Sequence, residues 1–224
     1  MNNRFSTSIE DYLKVIYDLT QEQERASTNE IAERMGVTPA SATGMVQRLA
    51  AANPPLIVYQ KHHGVSLTVE GEQTALEIIR HHRLLEAFLL EKLGYTWDEV
   101  HDEADRLEHV ISEELEERIA QALGDPSYDP HGDPIPDRQF QVPAQSSLRL
   151  SGLRPGDRAV VQRINDEDPE LLRYLSSIGL TPHCDLTVLE VSPFDGNLVL
   201  SIPEQASSVV LGLRVTRQIY VSLV

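Results

Sequence analysis

The hydrophobic period changes once along this chain, and that change limits what it can fold into. Up to Gly124 the apolar residues recur at helical spacing, and from Leu148 onward they fall into short strands. Between them lies DPSYDPHGDPIPDRQFQVPAQSS, dense in Pro, Asp and Gly, which reads as a partly ordered linker. The pattern therefore predicts a helical body followed by a separate small β unit. The strands are DRAVVQRI, DLTVLEV, NLVLSI, SVVLG and TRQIYVSLV, with turns at Pro155-Gly156, at Phe194 to Asn197 and at Gly212. One short helix, DPELLRYLSSIGL, interrupts them. Short strands at this density predict an SH3-like β-barrel.

In the helical part, STSIEDYLKVIYDLTQE forms a first helix that buries Ile9, Leu13, Ile16 and Tyr17, with Asp11 off that stripe. Ser27 and Glu30 make a capping box that opens STNEIAERM. Gly36 and Val37 turn the chain, and Thr38-Pro39 starts TPASATGMVQRLAA with Pro at the first helical position. Two short helices around a tight turn are a helix-turn-helix. The strands LIVYQ and GVSLTV follow, joined at Lys61 to Gly64, which makes the motif winged. In a DNA-binding reading the second helix enters the major groove and presents Thr38, Pro39, Ala40, Ser41, Thr43, Gly44 and Gln47. Its small side chains permit close approach, Gln47 reads adenine or a phosphate, and Arg34, Arg48 and Lys61 supply phosphate contacts. A winged helix used only for protein contacts is the competing reading.

Residues 69–93 predict a long helix closed by Gly94, on which His82 and Glu86 stand at i and i+4. That spacing suits one metal ion or an ordinary surface pair. The stretch from Trp97 to Gly124 predicts a single helix, opened by Thr96 with Glu99. His101, Asp105, Glu108 and His109 share one face of it, while Val100, Ala104, Leu107 and Ile111 share another. Such a stripe is equally consistent with a divalent-metal site and with a solvated face. Charge concentrates here: −11 over residues 76–140, against −3 over 1–75 and −2 over 141–224. A single cysteine, Cys184, excludes a disulfide framework and a multi-Cys zinc site. No apolar run approaches the roughly 20 residues of a membrane span, and the N-terminus lacks a signal-peptide core, so a cytoplasmic protein with no membrane partner is expected. Neither HExxH, GxSxG nor a phosphate-binding Gly loop occurs, which argues against a metallohydrolase.

Taken in order, SIEDYLKVIYDL, RHHRLLEAFL, VHDEADRLEHVISEELEERI and DPHGDPIP resemble the diphtheria-toxin-repressor family of metal-dependent transcriptional regulators. The resemblance covers nearly the whole chain. It implies a mainly α protein with a winged helix-turn-helix over residues 1–70 and a helical metal-binding and dimerisation domain over 71–140. A linker over 141–148 and an SH3-like domain over 149–224 complete it. The resemblance implies a homodimer that binds a palindromic operator on double-stranded DNA as a repressor, and no enzyme. Its primary metal site falls on Asp11, Asp105, Glu108 and His109. Iron-responsive members carry Met and Cys where this chain has Asp11 and Asp105, and hard oxygen donors suit Mn(II), with Fe(II) its close neighbour. Lys14 departs from the short manganese regulators, which carry a carboxylate there. The ancillary site falls on His82, Glu86 and His101, completed by Glu167 and Glu170, with Asp168 a rival.

Overall fold

In the computed structural model, which describes residues 5–165, 168–203 and 205–224, the first helix, α1, spans Thr7–Glu22. It is followed by α2 (Thr28–Arg34) and α3 (Pro39–Ala50). The Ser27 capping box forms as expected: Glu30 N–H donates to Ser27 Oγ at 3.2 Å, and Ser27 N–H donates to Glu30 Oε2 at 2.7 Å. Strands β1 (Ile57–Gln60) and β2 (Gly64–Leu67) pair antiparallel, Ile57 opposite Leu67 and Gln60 opposite Gly64. Ala26 and Val65 exchange backbone bonds of 2.9 and 2.8 Å, which pins this wing to the turn before α2. Leu13, Ile16, Ile31, Val46, Leu49, Ile57 and Val65 form the interior. Helix α4 (Val69–Phe88) starts against the hairpin: a Cβ on Gly71 would stand 1.9 Å from the Leu56 carbonyl oxygen. Only glycine allows that approach.

These elements belong to one of two compact units, made of Met1–His82, Leu107–Glu116 and Pro136–Gln141. The other contains Arg83–Arg106, Glu117–Ile135 and Val142–Val224. In it α4 ends in a π turn, Leu89–Leu93, stopped by Gly94 with φ 77°. Beyond the loop it carries β3 (Arg158–Ile164), α7 (Pro169–Ser177), β4 (Asp185–Val191), β5 (Leu198–Ser201), β6 (Val209–Leu211), a turn of helix α8 (Leu213–Thr216) and β7 (Ile219–Leu223). The strands form one antiparallel sheet in the order β6-β5-β4-β3-β7. Bulges at Val161/Arg163 and Val188/Glu190 bend it. The first of them brings Ile164 back to the buried face that Ala159 and Val161 occupy. Among the described residues no pairing of β6 with β7 closes the sheet into a barrel. Leu172 and Leu175 of α7 complete this core, and Trp97 packs against it.

The stretch read as one helix from Trp97 to Gly124 is two: α5 (Val100–Leu107) and α6 (Glu113–Leu123). Residues 108–112 leave the helix for two reasons. The His81 ring nitrogen Nδ1 donates to the Glu108 carbonyl at 3.0 Å, giving that oxygen a partner outside the helix. Ser112 then caps a new helix, its Oγ accepting from Leu115 N–H at 3.3 Å. The shared face predicted for four ligands therefore holds only for His101 and Asp105. Among the described residues no helix is long and apolar enough to cross a membrane.

Candidate metal centre and DNA-binding face

The break after α5 turns Glu108 and His109 toward α1. His109 Nε2 lies 2.9 Å from Asp11 Oδ1 and 3.2 Å from Glu108 Oε1, and its Nδ1 lies 2.7 Å from Glu10 Oε2. One ligand atom from each of Asp11, Glu108 and His109 falls within 4.8 Å of the others. Two carboxylates and an imidazole at that separation are the donor set of a hard to borderline divalent cation, so the residues fit such an ion. Asp11 is the accessible side, at 38% side-chain exposure, while Glu108 is at 2%. Glu108 Oε2 also accepts from Lys14 Nζ at 2.8 Å and lies 2.6 Å from His82 Nδ1.

Protein cations thus hold Glu108 in place. Burial would push its carboxyl up, but hydrogen bonds from His109 and His82 and the Lys14 charge keep it well below the usual carboxylate range. Burial would lower His109, yet hydrogen bonds to Asp11, Glu10 and Glu108 raise it to about 11. Behind this cluster Glu116 anchors His81, its Oε2 3.2 Å from His81 Nε2, and it pairs with Arg80.

The second unit holds a different cluster. Glu86, Asp129 and His131 offer ligand atoms within 4.8 Å of one another, and all three are buried. His131 Nε2 donates to the Trp97 carbonyl at 3.0 Å, which leaves Nδ1 facing Glu86 Oε2 at 3.5 Å. An imidazole whose far nitrogen is tied to a backbone carbonyl is oriented as metal ligands are. The Trp97 ring stacks on it at 5.2 Å between centroids. Asp129 Oδ1 accepts from the backbone N–H groups of His131 and Asp133 at 2.8 and 2.9 Å. Burial first, then the Glu86 and Asp133 charges, push the Asp129 carboxyl well above its usual range against the pull of Arg83 and His131. The loop is braced on β3: Ile164 N–H donates to the His131 carbonyl at 2.9 Å, and Arg163 reaches Asp133 at 3.1 Å.

Of the residues read as ancillary ligands, Glu86 Oε1 lies 3.1 Å from His101 Nδ1. In its own unit His82 lies against Glu108. Asp105, one turn after His101 on α5, is half-exposed and 3.7 Å from His101 Nε2. Glu167 lies outside the described residues. Glu170 is exposed in the first turn of α7, and no close group of metal-ligating side chains among the described residues includes it. Asp168 caps α7, its Oδ1 accepting from Glu170 and Leu171 N–H at 3.0 and 3.2 Å. Sequence reasoning missed Glu10, Asp129 and His131. Glu10 sits on the core side of α1 beside Asp11, and the DPHGD string places Asp129 and His131 two residues apart inside what reads as linker.

On α3, Thr38, Pro39, Ala40, Ser41, Gly44, Gln47 and Arg48 are exposed, as are Arg34 and Lys61. Thr43 is half-buried, its hydroxyl donating to the Pro39 carbonyl at 2.8 Å. Nothing stands within 4 Å of a Cβ built on Gly44, so this face is open and small.

Three family models match in succession. Residues 4–65 match "Iron dependent repressor, N-terminal DNA binding domain", residues 68–137 "Iron dependent repressor, metal binding and dimerisation domain", and residues 148–223 the FeoA domain. The iron-dependent repressor IdeR of Mycobacterium leprae is 34% identical over 215 residues, 91% of each chain. The diphtheria toxin repressor of Corynebacterium diphtheriae is 34% identical over 150 residues, 67% of this chain and 66% of its own. Among solved structures, a manganese-dependent transcriptional repressor in complex with manganese is 43% identical with a TM-score of 0.88, covering 96% of this chain and all of its own. ScaR with bound Zn2+ is 33% identical with a TM-score of 0.81, covering 96% and 99%.

Proposed function

We propose, of a chain that belongs to the diphtheria-toxin-repressor family of metal-dependent, DNA-binding transcriptional repressors responsive to manganese or iron, that its switch is the cluster of Asp11, Glu108 and His109, with Mn(II) the preferred ion and Fe(II) its rival. The observation that supports this most is the meeting of α1, part of the winged helix, with the turn after α5 through His109 and two carboxylates. Asp11, Glu108 and His109 would hold a divalent ion, whose charge would neutralise the two carboxylates. Asp11 then ties α1 to Glu108 and His109, which sets the presentation of α3 in a homodimer. The resemblance adds Asp105 as a fourth donor.

The donor set favours Mn(II) because it contains oxygen and imidazole and no sulfur. Glu86, with His101 on one side and Asp129 and His131 on the other, is the hub of a second cation position. Exposed α3 residues from Thr38 to Gln47 read the major groove, with Arg34, Arg48 and Lys61 on phosphates. Two-fold symmetry calls for a palindromic operator with half-sites one helical turn, or a multiple, apart. An ion at 100 times its Kd, against a state that does not bind it, contributes about 2.7 kcal/mol per site, enough to move a balanced equilibrium to roughly 99:1.

The test is fluorescence anisotropy on DNA from upstream of this gene and of neighbouring metal transporters, with chelated protein titrated with Mn2+ and, anaerobically, Fe2+ at one fixed salt. Saturable binding only with metal is the expected result. Equal binding with and without metal removes the switch. Metal-dependent binding that survives Asp11→Ala removes the role given to Asp11.

A further inference from the structure

Lys14 is the one basic side chain of α1 within its own unit that reaches the metal-ligating cluster. It stands three residues after Asp11 on the same helix, at 20% side-chain exposure. Its ammonium donates to Glu108 Oε2 at 2.8 Å and lies 3.2 Å from His82 Nδ1, while His82 Nδ1 is itself 2.6 Å from that same oxygen. The two oxygens of Glu108 are therefore divided. Oε1 faces His109, which also contacts Asp11, and Oε2 faces His82 and Lys14. A lysine has three donors and no acceptor, so it competes with a metal ion for oxygen and never ligates alongside it while charged.

We infer that Lys14 is a tethered cation that competes with the metal for Glu108, setting the concentration at which the centre fills and keeping a second ion off Glu108 Oε2 and His82. The inference rests on the reading of Asp11, Glu108 and His109 as a metal centre. Three features carry it. The ammonium sits at hydrogen-bond distance from a nearly fully buried carboxylate, where its charge is poorly screened. It lies at the junction of Glu108 and His82, the pair of donors that a second ion on this side would use. It also reaches there from α1, the helix that supplies Asp11, so the same helix carries one ligand and one competitor. A divalent ion drawn onto Glu108 Oε1 must work against this neighbouring positive charge or displace it. Removing the charge while keeping the stem should therefore tighten binding, and replacing it with a carboxylate should open the Oε2 side.

The test is Mn2+ binding to the full chain by equilibrium dialysis, with free ion read by electron paramagnetic resonance, on wild type, Lys14→Met, Lys14→Arg and Lys14→Glu. Circular dichroism checks that each is folded. Lys14→Met should tighten the Glu108-dependent site by about tenfold or more, as loss of one adjacent like charge does in a poorly screened site. Lys14→Arg, which keeps a cation, should shift it less than Lys14→Met. Lys14→Glu should raise the number of ions bound per chain by one. Unchanged or weaker binding in Lys14→Met overturns the competitor role, as does an unchanged count in Lys14→Glu. If Lys14→Met fails to fold, Lys14→Gln replaces it under the same criterion. Glu108→Gln in the same titration separates the two levels: if neither phase of Mn2+ binding weakens there, the metal-centre reading itself is overturned.

Discussion

The two acidic clusters of this molecule use similar side chains and handle charge in opposite ways. At Asp11, Glu108 and His109 the protein supplies its own cations: Lys14 and a His109 raised to about 11, helped by a hydrogen bond from His82, hold Glu108 ionised, and Asp11 stays accessible. At Glu86, Asp129 and His131 the carboxylates are sealed, and Asp129 is pushed up by burial and by Glu86 and Asp133 beyond what Arg83 and His131 offset. A site whose charge is met internally binds an ion only by exchange, which suits a threshold sensor. One whose carboxylates are sealed from solvent and only partly offset by neighbouring cations, on a loop braced by Trp97 and β3, suits an ion that stays.

The largest effects should therefore come from removing one carboxylate at each cluster. Mn2+ titration of wild type is expected to show two phases. Glu86→Gln should weaken the tighter phase by about a hundredfold or more and Glu108→Gln the weaker one by a similar factor, because losing even an outer partner of a ligand costs about 10- to 100-fold. Only Glu108→Gln should abolish metal-dependent DNA binding. A reversed order of phases would break the comparison.

Next in size is Gly132→Ala. Gly132 has φ 90°, and a Cβ there would stand 1.9 Å from the Gln162 carbonyl oxygen and 2.9 Å from Arg163 Cα. These are backbone atoms of β3 that cannot swing aside, so the loop carrying Asp129 and His131 must move. The expected loss is about 2 kcal/mol or more in urea unfolding followed by Trp97 fluorescence, with weakening of the tighter Mn2+ phase alone. Loss of the weaker phase as well would mean that the clusters are not independent. Smaller still is Ser112→Ala, which removes the cap of α6 and should cost about 1 kcal/mol. It loosens the turn that delivers Glu108 and His109, so the weaker phase should respond and the tighter one should not.

That turn also marks where sequence reading ended. The capping box at Ser27, Pro39 at the start of α3, the wing and the five C-terminal strands were legible because each is set by neighbours in sequence. Asp11 entered through the family resemblance, since its own position on α1 marks it only as a surface acid. The break at 108–112 depends on His81, far away in sequence, taking the Glu108 carbonyl, which no periodicity reports. Ser112 followed by two glutamates was a start signal available in the sequence, hidden by the continuous helical pattern across it. Asp129 and His131 read as linker because Pro, Gly and Asp signal turns, while their burial depends on Trp97 and β3.

The smallest effect tests whether repulsion is also stored beside the sensor cluster. Glu77 on α4 is pushed up to about 7, first by burial, then by its hydrogen bond to Glu113 and the charge of Glu113, with His81 pulling the other way. The ordinary value is 4.5, so between 4.5 and 7 the folded chain holds a proton that the unfolded chain has released. Stability is therefore intact below about 4.5 and declines as pH rises to about 7, after which the loss is complete. Full conversion of the shift overstates the effect, because Glu77 is only partly buried and its charge is screened. A change of about 1 kcal/mol is the expected size. Glu77→Gln, which cannot ionise, should leave urea stability unchanged below pH 4.5 in chelator and raise it by about that amount at pH 8. A gain at pH 8 would mean that like-charge repulsion adjoins the switch, in the unit where Glu108 itself is fully compensated. A loss at pH 8 would mean that the Glu77 and Glu113 pair is held together by an attraction, and that charge compensation extends to this pair as well.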